Sequence, residues 1–334
     1  MITILTPGID DAHISRLTAP SSGLRLIDAW SEARTDLEQV LALSGSGELL
    51  TSDETVDVRY VVFPWRAAIV KLPAPHLFHL LRTTRNRFLI TEDEQDRWSA
   101  ATIAVAGLSV GGSVLHTCAL TGARRFRVAD LDTLGISNLN RLAGSVCDLG
   151  APKVELAHRR LLELDPYAQV ETFPTGYSDA VAAEFLGGAT PPAVVFEEMD
   201  DVRRKVELRI AARAARLPVV MVTDDGDDVI VDVERYDLDG HYPLFHGRAG
   251  DIVELGADVL DDPANKVAIA GAIVGDGVTE RMRMSLAEVG RTIPSWPQLG
   301  SAATLAGAVG AAVGRRIVLG EDMPSGRRHV RTCQ

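Results

Sequence analysis

Two cations and a row of carboxylates follow a strand–loop–helix segment of the kind that binds phosphate. The apolar run Ile103–Ala106 leads into Gly107-Leu-Ser-Val-Gly-Gly-Ser113. A loop that leaves a strand and opens a helix presents backbone N–H groups and the positive end of the helix dipole to an anion. Gly107, Gly111 and Gly112 supply small residues, and Ser109 stands where G-x-G-x-x-G has its second glycine. Taken alone, the loop is a weak signal, and a tight strand-to-helix turn is the lesser alternative. Asp130 closes the next strand, about twenty residues on, where an acid can accept from ribose hydroxyls. Asp132 is spaced to share or support that role.

Arg141, in Ser137-Asn-Leu-Asn-Arg141, and Lys153, in Gly150-Ala-Pro-Lys153, are cations that a plain dinucleotide site does not need. Negative charge develops on the α-phosphate and pyrophosphate when a carboxylate attacks ATP, and preplaced cations lower that barrier. Ser137 and Asn138 can orient the loop or the phosphates. Farther on, Val194-Val-Phe-Glu-Glu-Met-Asp-Asp201 ends another apolar strand with four acids. Such carboxylates, at the strand end that faces the ligand crevice, suit Mg²⁺. An acidic turn whose Asp200 or Asp201 caps the next helix fits the same residues.

Strands are predicted at Thr102–Ala106, Phe126–Ala129, Val170–Phe173, Ala193–Phe196 and Val219–Val222. Helices are predicted between them at Gly112–Thr121, Lys153–Leu164, Asp179–Leu186 and Val202–Arg216. Asp165-Pro166 and Leu217-Pro218 end two of these helices. Alternation of short apolar strands with helices predicts an α/β fold: a Rossmann-like, mostly parallel sheet with helices on both faces. Val229–Arg235 reads as an added, antiparallel strand. The helix after Asp201 carries Arg203, Arg204, Lys205, Arg209, Arg213 and Arg216, which reads as a solvated face.

Residues 1–85 read as a small α+β module for substrate recognition or dimer contacts, and residues 86–334 as the main domain. The module has a helix at Ser31–Leu43, a turn at Ser44-Gly-Ser-Gly47 and a strand at Tyr60–Phe63. A short helix at Leu77–Arg87 carries Arg82, Arg85 and Arg87.

The net charge of −12 argues against a nucleic-acid partner. Cys118, Cys147 and Cys333 form no C-x-x-C pair, which argues against structural zinc and points to a reducing, cytoplasmic setting. The apolar stretches Val267–Val274 and Ala302–Val313 are too short to span a membrane. The second, rich in Ala and Gly, suits close packing inside the protein or a dimer interface.

From Arg85 to Glu234 the chain resembles the ubiquitin-activating-enzyme-like adenylyltransferases typified by ThiF and MoeB. The residues that carry the likeness are the strand-glycine loop, Asp130-Leu-Asp132, Ser137–Arg141, Gly150–Lys153 and the Asp pair after a later core strand. A branch sometimes fused to a nitroreductase-like domain is similar over most of the chain. Its residues here are Pro64-Trp65, Arg85-Asn-Arg87, Gly107–Val110, Asp232–Arg235, Pro243–Gly247 and Trp296-Pro-Gln298. The resemblance implies that Asp130 holds ribose, Ser137–Arg141 and Lys153 contact phosphates, and Asp200 holds Mg²⁺. It also implies a homodimer in which Arg85 or Arg87 enters the partner's nucleotide site. Ser109 and Val110 depart from the family's glycines, and Asp200-Asp201 from its Asp-Asn.

The expected activity is ATP- and Mg²⁺-dependent adenylation of a carboxylate: a peptide or carrier-protein C-terminus, or a small acid. No Cys lies between Cys147 and Cys333, so attack by an external nucleophile is expected rather than an internal thioester. Two rivals share the fold. An NAD(P)-linked oxidoreductase has no need of Arg141 and Lys153. A non-catalytic scaffold has no reason to keep Arg141, Lys153 and Asp200 together.

Overall fold

The computed structural model describes all residues except 45–49, 52, 252–255, 333 and 334. Part of the predicted Ser44–Gly47 turn and Cys333 therefore lie outside the described residues. The chain divides into two units: Met1–Gln95 with Asp165–Tyr167, and Asp96–Leu164 with Ala168–Gln334.

In the first unit, β1 (Thr3–Leu5), β2 (Arg25–Asp28), β3 (Val58–Phe63) and β4 (Ala68–Pro73) form a sheet in the order β1-β3-β4-β2. Four helices accompany it: α1 (Asp11–Thr18), α2 (Trp30–Ser44), α3 (Glu54–Asp57) and α4 (Pro75–Thr83). Trp30 and Leu37 of α2 and Leu77 of α4 pack with Val58 in an apolar cluster. The helix predicted at Leu77–Arg87 is shorter than the sequence suggests. After Thr83 the chain tightens into a 3₁₀ turn, Thr84–Asn86, and Phe88 takes a positive φ of 68° that no helix continues through. Arg85 and Arg87 sit on this irregular segment, and both are exposed.

The break between units falls within α5 (Glu92–Ala100). The second unit is built on β5 (Thr102–Ala106), β6 (Arg125–Ala129), β7 (Gln169–Phe173), β8 (Val194–Glu197), β9 (Pro218–Asp225), β10 (Asp228–Arg235) and β11 (Gly326–Val330). Their order is β11-β10-β9-β8-β5-β6-β7. Strands β9, β8, β5, β6 and β7 are parallel, and β10 and β11 add antiparallel edges. The Rossmann-like sheet and the antiparallel Val229–Arg235 strand are as the sequence predicts.

Successive side chains of a strand face opposite sides, and the core follows that rule. Ile103, Val105, Val194, Phe196, Val220 and Val222 point to one side. There they meet α6 (Val110–Leu120) and α7 (Lys153–Leu164). Ala104, Ala106, Val195 and Val219 face the other side. That side holds α8 (Asp179–Leu186) and α9 (Val202–Ala214). Three short helices follow: α10 (Ala257–Asp261), α11 (Pro263–Val274) and α12 (Glu280–Leu286). The Ala/Gly stretch lies in α13 (Gly300–Val318), on the α6 side. A Cβ on Gly307 would stand 2.7 Å from the Ser113 carbonyl oxygen, and one on Gly314 2.5 Å from Phe196. The small residues let α13 lie directly on α6 and β8. No helix among the described residues is long and apolar enough to cross a membrane.

The basic run on α9 is not simply a solvated face. Arg209 is fully buried, paired with Glu197 and with Glu234, and stacked 4.0 Å from the centre of the Phe245 ring. Lys205 reaches Glu197 at 3.1 Å. Burial opposes ionisation of Glu197, but Lys205 and Arg209 outweigh it and hold its pKa below the usual value. Only helical periodicity separates these inward positions from their exposed neighbours, and all are basic.

Removing one partner of such a buried pair leaves an uncompensated charge. Arg209→Ala is therefore expected to lower stability by about 3–5 kcal/mol in urea unfolding. Two glycines of the β5–α6 loop should differ just as clearly. Gly107 has φ +90°, and a Cβ there would run into the Glu198 carbonyl and stand 2.8 Å from the Met199 nitrogen. Gly107→Ala should cost at least about 2 kcal/mol. A Cβ on Gly112 meets nothing nearer than Leu142 at 3.5 Å. Gly112→Ala should be neutral or stabilising by about 0.5–1 kcal/mol, read from the same unfolding curves.

Candidate active site

Chain order places the site. The chain runs from β5 outward through β6 to β7, then returns to the far side of β5 as β8. Ligand crevices open at such a reversal, beyond the carboxyl ends of the strands. Gly107 leaves β5 here, Asp130 leaves β6, Asp200 lies just past β8, and Asp224 is near the end of β9.

Asp130 ties the loop down. Its Oδ2 accepts from the Leu108 amide at 2.6 Å, and its Oδ1 from the Asp132 amide at 2.7 Å. Burial raises its pKa, against the pull of Lys153 and these amides. Gly107 donates its own amide to the Ala129 carbonyl at 2.8 Å. Gly111 is constrained by side chains rather than backbone: a Cβ there would meet Val105 at 2.9 Å and the Glu198 side chain at 3.2 Å. Val110 and Gly111 begin α6, where helix geometry leaves amides without intrahelical partners.

Ser109 uses its side chain. Arg141 Nε donates to Ser109 Oγ at 2.8 Å, and that hydroxyl donates to Gln298 Oε1 at 3.2 Å. Arg141 Nη1 reaches the Ser137 carbonyl at 3.0 Å and Asn140 Oδ1 at 2.9 Å. The guanidinium is thereby fixed beside the start of α6. Burial lowers its pKa, while Asp200 and Asp224 act the other way. Asn138 shapes the loop: its Oδ1 accepts from the Gly135 amide at 2.9 Å. Ser137, next to it in a 3₁₀ turn, is exposed.

Lys153 opens α7 with its stem buried, and its Nζ is 2.8 Å from Asp132 Oδ2. Asp132 is thus the counter-ion of Lys153, with 59% of its side chain exposed. In the four-acid run, Glu197 and Glu198 face inward. Glu197 is bound to Arg209 and Lys205, and Glu198 accepts from the Val222 amide at 2.9 Å. Burial, and then the charge of Glu197, drive the Glu198 pKa well up. Asp201 caps α9, accepting from the Arg204 amide at 3.0 Å. Asp200 is exposed, and among the described residues it makes no hydrogen bond or ion pair.

The fold thus gathers Gly107, Ser109, Gly111, Gly112, Asp130, Asp132, Ser137, Asn138, Arg141, Lys153 and Asp200 on one sheet edge. Arg85 and Arg87 belong to the other unit. Sequence reasoning passed over Asp224, and marked Gln298 only as part of the Trp296-Pro-Gln298 motif, with no site role. Asp224 is 2% exposed, and neither of its carboxylate oxygens has a hydrogen-bond partner among the described residues. Burial and then Asp200 raise its pKa to about 7, against Gln298 and Arg141. Its signal was faint: an acid continuing the inward alternation of Val220 and Val222.

Comparison with known proteins gives a partial family match and a likeness of fold. Residues 83–224 match the model of the ThiF family. The chain is 40% identical over 330 residues to an uncharacterised protein of Mycobacterium tuberculosis, covering 96% of this chain and 44% of that one. It is 28% identical over 163 residues to a sulfur carrier protein adenylyltransferase of Thermus thermophilus, covering 47% of this chain and 55% of that protein. The chain spans only about half the length of these relatives. Among solved structures, the tRNA N6-threonylcarbamoyladenosine dehydratase of E. coli in complex with AMP superposes with a TM-score of 0.52 at 16% identity, over 72% of this chain and 95% of that one. Through residues 83–224, less than half of its length, this chain is similar to the ThiF family.

Proposed function

We propose that the protein is an adenylyltransferase that activates a carboxylate with ATP and Mg²⁺. The observation that supports this most is the arrangement of Arg141 and Lys153. Both cations are held by neighbours at the mouth of a nucleotide-type loop, with a free carboxylate, Asp200, across the crevice. Adenylyl chemistry also fits the relatives, one named as a carrier-protein adenylyltransferase and one solved with AMP.

In this reading Asp130 orients the ribose, while Gly107, Ser109, Gly111 and Gly112 shape the loop around the phosphates. Ser137, Asn138 and Asp132 position the two cations. A substrate carboxylate oxygen attacks the α-phosphorus. That bond forms as the bond to the pyrophosphate oxygen breaks, giving acyl-adenylate and pyrophosphate. Arg141 and Lys153 stabilise the charge that builds on the phosphate oxygens. Asp200 suits a hard cation, being an exposed oxygen donor without a protein partner, and Mg²⁺ held there would neutralise the departing pyrophosphate. An external nucleophile then attacks the acyl carbon and releases AMP.

Cys118 suits structure rather than acyl transfer, since it is buried and burial pushes its thiol pKa up. The acyl substrate is a peptide or carrier-protein C-terminus or a small acid, and residues 1–85 contribute to its recognition or to dimer contacts. The working form is a cytoplasmic homodimer, with Arg85 or Arg87 offered to the partner's nucleotide.

ATP–pyrophosphate exchange, driven by a panel of peptides and small carboxylates, tests the assignment. Arg141→Ala and Lys153→Ala should each lower exchange at least about a hundredfold with an unchanged melting curve. Full exchange in either variant would remove that residue from the mechanism. Calorimetry should show binding of ATP with Mg²⁺ and none of NAD; the reverse result would overturn adenylation in favour of redox chemistry.

A further inference from the structure

Among the described residues neither oxygen of the Asp224 carboxylate has a hydrogen-bond partner at ordinary distance, with Gln298 and Arg141 acting on it only weakly, although the fold takes it almost wholly out of water. A buried carboxylate without a donor is costly, and its neighbour Asp225 shows how the fold treats an ordinary one. Asp225 Oδ1 accepts from the Thr279 amide at 2.7 Å and from the Thr279 hydroxyl at 2.9 Å. Asp224 lies on the opposite face, in step with Val220 and Val222 on the side of α6 and α13. That side carries Ser109, at the start of α6, and Gln298, just before α13.

The pairing of β8 with β9 brings Asp224 to the same end of the sheet as Asp200. Phe196 pairs with Val220 on parallel strands, so the carboxyl end of β9 lies beside the turn after β8 that presents Asp200, and the charge of Asp200 bears on Asp224. Arg141 is the cation whose charge bears on both, but its guanidinium already serves Ser109, Ser137 and Asn140. What two facing carboxylates lack is a compact positive charge. Among the described residues no group of three or more His, Cys, Asp or Glu side chains is placed to hold a metal alone. Mg²⁺ matches that shortage, because it takes one or two carboxylates and completes its shell with phosphate oxygens and water.

We propose that Asp224 is a second carboxylate for the divalent cation, acting with Asp200 when nucleotide is bound. The assignment rests on the ATP reading of the site and adds to it a residue from β9. Burial raises the pKa of Asp224; Gln298 and Arg141 act against it without cancelling it, and the charge of Asp200 adds to the rise.

The test uses the full chain, the non-hydrolysable analogue AMPCPP, and Mn²⁺ as a spin-active stand-in for Mg²⁺. Electron paramagnetic resonance then counts free and bound Mn²⁺. Asp224→Asn should weaken Mn²⁺ binding in the presence of AMPCPP by at least about tenfold, while AMPCPP binding without metal is unchanged. The metal-free variant should melt at or above the temperature of the unaltered protein, since a neutral amide replaces a buried, unpaired charge. Mn²⁺ affinity within about twofold of the unaltered protein would overturn the role of Asp224 and leave the ATP reading standing. No AMPCPP binding by the unaltered protein would bring down both. A variant that binds Mn²⁺ normally but loses affinity for an acyl substrate would reassign Asp224 to substrate recognition.

Discussion

The close approach of Gly107 to the carbonyl of Glu198 governs this site. Where β5 and β8 part company, the two backbones pack with no room for a side chain, and only a residue at ease at φ +90° can stand there. That approach brings the loop of β5 against the turn after β8. It sets Ser109 and the first turn of α6 on one side of the crevice and Asp200 on the other. Asp130 secures the same loop from β6 by accepting the Leu108 amide. The phosphate-type loop is thus held from both neighbouring strands.

The far side of the β8 turn is held by charge. Glu197, Arg209, Lys205 and Glu234 form a buried network that anchors the strand end from α9 and β10. Glu197 also accepts from the Met199 amide at 2.8 Å, one residue before Asp200. A buried ion network is weak evidence of net stability. What it gives here is position: the turn that presents Asp200 is hydrogen-bonded into the core, while the Asp200 side chain itself stays open to solvent.

Ser109 shows how a departure from a glycine pattern is absorbed. Its hydroxyl accepts from Arg141 and donates to Gln298, so the loop grips the cation that a second glycine would leave alone. Gln298 in turn takes the Asn140 side-chain amide on its backbone carbonyl at 2.9 Å. Trp296-Pro-Gln298, a motif distant in sequence, thereby closes a small hydrogen-bonded ring around Arg141.

Local pattern carried much of this into the sequence. The short apolar runs Ile103–Ala106 and Val194–Phe196, the prolines Pro166 and Pro218, and the loop opening α6 are consequences of short-range sterics and burial, legible residue by residue. Arg141 and Lys153 were legible as cations following a phosphate-type loop, although spacing alone fits ordinary surface cations as well. The sequence likewise marked Asp200 and Asp201 as a pair, but only the fold separated them, one into a helix cap and one into the crevice. It could not show that Arg209 turns inward, because its partners Glu197 and Glu234 come from different strands. Nor could it single out Asp224, whose meaning depends on lying at the strand end beside the turn of Asp200 and on being shut away from water. Burial and cross-strand register arise from contacts between distant segments, and no spacing along the chain encodes them.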